Sequence, residues 1–127
     1  MTARQSFTSG QTFTAAQANA LAEATIAVNA QGTATSYTLA LTDAGKLVTF
    51  TGAAATVTIP LNATVAFAVG DQINIAQLGT AQVTIGTASG VTLVSSGSKT
   101  KTNGQYAVAT VVQYTTNSWL LLGNISS

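Results

Sequence analysis

From Tyr37 onward the chain keeps a two-residue rhythm, broken at short intervals by turn residues. "YTLALTDAGKLVTFTGAAATVTIP", residues 37–60, shows the pattern. Tyr37, Leu39 and Leu41 alternate with Thr38 and Ala40. Val48 and Phe50 face one way, Leu47 and Thr49 the other, and Val57 and Ile59 alternate with Thr56 and Thr58. Side chains that alternate faces in this way belong to half-buried strands. "TDAG" separates the first two runs, and Gly45 there can take the left-handed conformation that closes a short hairpin loop. Pro60 ends the third run, because it has no N–H to give to a ladder.

The rhythm continues to the end of the sequence. Gly70 and Asp71 form a natural turn pair, after which Ile73 and Ile75 alternate with Gln72, Asn74 and Gln77. Val83 with Ile85, and Val91 with Leu93, follow the turns "LGTA" and "GTASG". "SSGSKTKTNG" is the longest polar run and is expected to be an exposed loop. "QYAVATVVQY" is expected to be the longest strand, turned by "TTNS" into "WLLLGNI". The triplets "VTI" at 57, "VTI" at 83 and "VTL" at 91 are unevenly spaced, so no periodic solenoid repeat is expected.

The first thirty residues differ. Residues 1–13 are polar apart from Phe7 and Phe13 and suit an extended arm. Thr14 and Gln17 have the spacing of a capping box, so a short helix is expected from Ala15, with Ala15, Ala18, Leu21, Ala22, Thr25 and Ile26 on one face. A stripe this thin is marginal in water and needs its own sheet or a neighbouring chain to pack on. Residues 29–36, "NAQGTATS", suit a small-residue linker. The expected fold is therefore all-β. Residues 31–127 would form an antiparallel β-sandwich or barrel-like domain, and residues 1–30 an N-terminal arm and one short helix used for attachment.

Composition bears on function through charge. Of 127 residues, 6% are charged, against roughly 25% in an ordinary soluble domain. The ionic side chains are Arg4, Lys46, Lys99, Lys101, Glu23, Asp43 and Asp71, giving net charge +1. Small monomers usually keep apart through surface charge. A neutral Thr- and Ser-rich surface instead points to self-association or to membership of a larger assembly.

The same inventory weighs against catalysis. There is no histidine and no cysteine, so Ser or Thr nucleophiles lack their usual base, and thiolate chemistry and thiolate metal sites are excluded. Asp43 and Asp71 both lie in turns beside glycine, where a carboxylate commonly bonds its own backbone. Three scattered carboxylates suit neither a glycosidase pair nor a calcium site. "KTK" at 99–101 stands without a basic stripe, so no nucleic-acid partner is expected. No metal, cofactor or small-molecule substrate is expected. No signal-peptide core or membrane-spanning stretch is visible, so cytoplasmic synthesis without an anchor is expected. Most aromatics fall at strand positions and read as core. Trp119, directly after a turn, and Lys99 and Lys101 in the polar run are candidates for an exposed-loop contact, including stacking of the indole on a carbohydrate.

The stretches "YTLALTDAGKLVTFTGAAATVTIP", "FAVGDQINIAQLGTAQVTI" and "GQYAVATVVQYTTNSWLLLGNIS" resemble a β-rich module of tailed-phage virion proteins, found in head fibres, tail fibres and capsid decoration proteins. The lead-in "FTSGQTFTAAQANAL" is similar to that of phage structural proteins. The resemblance implies a homotrimer on a viral particle. One module with one helix and one arm suits a capsid decoration protein that binds the major capsid protein, located on the virion surface. Phe7, Phe13 and Leu21 would then contact the capsid or clasp an adjacent subunit, or else fold back on their own sheet. The alternative is a tail, collar or receptor-binding fibre component. An enzyme such as a cell-wall glycosidase is a third reading, opposed by the missing histidine and scattered carboxylates.

Overall fold

The computed structural model describes residues 27–127, which form two facing mixed β-sheets. Eleven strands follow in chain order: β1 (Val28–Gly32), β2 (Ser36–Thr38), β3 (Leu47–Phe50), β4 (Ala55–Ile59), β5 (Gln72–Gln77), β6 (Val83–Thr87), β7 (Thr92–Ser95), β8 (Lys101–Thr102), β9 (Val108–Thr115), β10 (Ser118–Gly123) and β11 (Ile125–Ser126). Short 3₁₀ turns occupy Leu41–Asp43 and Ser96–Ser98. One sheet has the order β1-β3-β5-β9-β10-β7 and the other β11-β8-β6-β4-β2. The all-β expectation therefore holds. Val48, Val57, Ile59, Ile73, Ile75, Val111 and Leu121, all fully buried, fill the space between the sheets, as the alternation requires.

The antiparallel expectation does not hold. From β1 to β6 the chain alternates between the sheets, so β1, β3 and β5 are parallel neighbours in one and β2, β4 and β6 in the other. This half is a coil. Each turn adds one strand to each sheet, and a strand meets its predecessor running in the same direction. β8 and β9 then add antiparallel to β6 and β5, and β10 forms a hairpin with β9 while running parallel to β7. Turn residues announce that the chain turns but not where it goes. Residues 51–54 and 88–91 carry the chain from one sheet to the other, a separation of about 10 Å. The two-residue connection Thr116–Asn117, with Asn117 at φ 59°, makes the tight hairpin between β9 and β10. Gly45 is left-handed, at φ 78°, as expected, but it leads from the first 3₁₀ turn into β3, and β2 and β3 lie in different sheets.

The coil has no fixed period, in keeping with the uneven spacing of the triplets. Val28 opposes Leu47, nineteen residues on, and Leu47 opposes Asn74, twenty-seven residues on. The second turn is longer chiefly because residues 60–71 form a long connection, which lays Phe67 into the core. The unequal lengths leave no fixed period. What repeats is a corner after each of the first three strands of the six-stranded sheet, "QGT" at 31–33, "TGA" at 51–53 and "LGT" at 78–80. A Cβ on Gly52 would lie 2.7 Å from Thr33 Cα, and one on Gly79 2.6 Å from Thr51 O. Glycine at the second and third corners is what lets successive turns stack, while Gly32 meets no neighbour and serves its left-handed φ of 57°.

Two smaller corrections follow. β1 begins at Val28, so residues 29–36 are an edge strand and its corner rather than a linker, and β1 runs across the boundary drawn at residue 30. The polar run 95–104 is not one loop. It contains the end of β7, a 3₁₀ turn and β8.

Candidate functional site

The richest polar constellation lies at the open end of the coil, where β1 and β2 are the first strands of their sheets. Asn29 projects inward from β1 and Tyr37 from β2, while Asp43 ends the 3₁₀ turn between β2 and β3. Asp43 is 1% exposed. Its Oδ1 accepts from Asn29 Nδ2 at 2.8 Å, and its Oδ2 accepts from the Tyr37 hydroxyl at 2.5 Å and from Ala40 N at 2.8 Å. Asn29 Nδ2 also donates to the Tyr37 oxygen at 3.0 Å, and Gln31 Nε2 donates to Asn29 Oδ1 at 2.9 Å. Burial, together with the Asp43 carboxylate beside it, pushes the Tyr37 hydroxyl up to about 12, so it stays protonated and donating.

A carboxylate with three donors on it is committed. Both oxygens accept hydrogen bonds, and the tyrosine is held neutral. The cluster ties β1, β2 and the turn before β3 together across the two sheets. The expectation that Asp43 bonds its own turn is met by Ala40 N. Asp71 does the same through Ala68 N at 2.9 Å.

A second buried cluster joins the sheets. Gln77 on β5 is 1% exposed and Thr102 on β8 is fully buried. Thr102 Oγ1 donates to Gln77 Oε1 at 2.6 Å and accepts from Val83 N at 2.9 Å, while Gln77 Nε2 donates to the Gly79 carbonyl at 3.0 Å. Sequence reading puts Gln77 on the polar face with Gln72 and Asn74. It instead shares the inward face of Ile73 and Ile75, as its even spacing from them requires. Asn29 was assigned to a linker. The signal for both was positional: an amide at an inward strand position must find a buried partner.

Among the described residues, the sequence-derived site residues Lys99, Lys101 and Trp119 do not form one surface site. Phe7, Phe13 and Leu21 lie outside the described residues. Trp119 is 2% exposed and packs edge-on against Phe67, ring centres 5.3 Å apart at 89°. It is core and offers no surface for a glycan. It follows the turn, but its strand parity aims it inward with Leu121. Lys101 lies in β8, opposite Ser126 and Thr84, and is half-buried rather than in a free loop. Lys99 is exposed and stands beside a shallow groove of about 330 Å³ lined also by Ser96, Leu120, Leu122 and Ile125.

What the surface offers instead is apolar. The outward positions of β7, β9 and β10 carry Val94, Val108, Tyr114, Leu120 and Leu122, each 40–49% exposed, together with Val112. Val94 opposes Leu120 and Leu120 opposes Val112, which makes a continuous aliphatic row across three strands. On the other sheet the outward positions of β2, β4 and β6 are Ser36, Thr38, Thr56, Thr58, Thr84 and Gly86. No protein-family model matches the chain, and no curated protein matches it in sequence.

Proposed function

We propose that this chain is a structural protein that assembles with copies of itself and with a larger particle, as a capsid decoration protein of a tailed phage, and that it performs no catalysis. The single observation that carries the reading is the aliphatic outer face of β7, β9 and β10 in a chain with 6% charged residues. Exposed apolar patches of this kind mark interaction surfaces. The buried carboxylate and amides support it from the other side, because their hydrogen bonds are spent on closing the fold. The virion context rests on the resemblance of residues 37–60, 67–85 and 104–126 to phage virion modules, which also supplies the trimer, the major capsid protein as partner and residues 1–30 as the attachment segment. The tail-fibre alternative loses its aromatic contact, since Trp119 is core.

The test is location. Tailed-phage particles produced from the genome that encodes this chain, purified on a density gradient and labelled with antibody against it, are expected to carry label over the head. Label confined to the tail tip supports the fibre alternative. Purified particles that lack the chain contradict both.

A further inference from the structure

The geometry points to the outer face of the six-stranded sheet, centred on Val94, Val112, Leu120 and Leu122, as the surface through which two copies of this chain meet. This inference rests on the self-association part of the proposed function and names a site for it; a face that meets its own copy pairs chains two by two, so it is a contact separate from any three-fold one. The occupant follows from charge. Asp43 is buried, Asp71 closes its own turn, Lys46 precedes β3 at a sheet end and Lys101 belongs to the other sheet. Lys99 stands at the rim, beside Leu122. The outward positions of β5, β7, β9 and β10 carry no ionic group. Such a face has nothing to offer a phosphate backbone, a lipid headgroup or a charged peptide. An identical copy meets it without like-charge repulsion. The face is small. The four strands β5, β9, β10 and β7, about 4.8 Å apart and each about five residues of about 3.3 Å, present on the order of 300 Å² in plan. Two copies together bury less than the roughly 1,000 Å² of a stable interface, so the contact is a weak, concentration-dependent one.

The other face of the sandwich provides the contrast and the control. Its threonine hydroxyls are solvated, and lysines placed there meet water.

The experiment is sedimentation and light scattering of the full chain over a concentration series, for the wild type, for Leu120→Lys with Leu122→Lys, and for Thr38→Lys with Thr56→Lys on the opposite face. The wild type and the threonine variant are expected to rise above the 12.7 kDa of one chain as concentration increases. The leucine variant is expected to stay at one chain's mass, with self-association weakened at least about a hundredfold by like charges brought face to face, and with unchanged circular dichroism and melting. If the leucine variant melts early, Leu120→Thr with Leu122→Thr replaces it. Loss of association in the folded threonine pair supports the face, and retention overturns it. A wild type that stays a single chain at every concentration overturns both the self-association and the face, including the case in which residues 1–26 cover the patch. Wild-type association that persists in the leucine variant overturns the face alone.

Discussion

The two halves of this sandwich solve the same problem differently. The coil from β1 to β6 is tied by polar bonds, through the Asp43 cluster at β1 and β2 and, to β8 of the other half, through the Gln77–Thr102 pair, and shows Ser and Thr on the outer face of β2, β4 and β6. The segment from β7 to β11 is held by aromatic packing of Trp119 on Phe67 and turns valine and leucine outward. The contrast teaches that few charges need not make a uniformly sticky protein. The neutral surface divides into a solvated threonine face and an aliphatic one, and only the second gains from being covered.

The strongest way to break the comparison is to remove the anchor of the second half. Trp119→Ala should destabilise the fold by about 3–5 kcal/mol, because a large, fully buried ring leaves a cavity against Phe67. Denaturant titration measures it, and a loss under about 1 kcal/mol would mean that the ring is not core. Next comes the coil's end. Asp43→Ala strands the Tyr37 hydroxyl, the Asn29 amide and Ala40 N in a buried site, at an expected cost of about 2–4 kcal/mol. Gly79→Ala should cost about 1–3 kcal/mol, since its Cβ would meet the backbone oxygen of Thr51 at 2.6 Å and the corner must shift. A neutral or stabilising Gly79→Ala would contradict the stacked corners.

A gentler test of the same end uses pH. The Tyr37 hydroxyl titrates at about 12 in the fold against 10.0 when free. A raised folded value means that its contribution is fully present below pH 10 and is lost as pH rises through 12. Thermal melts of the wild type should fall across that window more steeply than those of Tyr37→Phe, and parallel curves would remove Tyr37 from the cluster. The smallest stability effect belongs to the aliphatic face. Leu120→Thr should change the stability of the single chain by less than about 0.5 kcal/mol, because an exposed strand position carries little of the fold.

Legibility followed the same division. The β9–β10 hairpin could be read directly, since a two-residue turn with Asn117 in the left-handed region leaves one geometry. The strand ends at Pro60 and the turn at Gly70 were also visible, as was the inward parity of Val57 and Ile59. The coil was hidden. Alternation shows which face a residue takes, not which strand lies beside it, and turns of unequal length erase the period that would have revealed stacking. The corner glycines held the information, but their meaning depends on Thr33 and Thr51 lying against them, a contact between residues nineteen and twenty-eight positions apart. Asp43 was correctly placed in a self-bonded turn, while its partner Asn29 lay in a segment too short and too polar to stand out as a strand.

The most direct test of the central claim is hydroxyl-radical footprinting of the full chain at low and high concentration. Tyr114, Leu120 and Leu122 should react freely when dilute and become protected when concentrated, while Tyr106, 72% exposed and outside the strands, reacts equally in both. Equal reactivity of all four residues at every concentration, or protection that falls on the threonine face instead, would contradict the account.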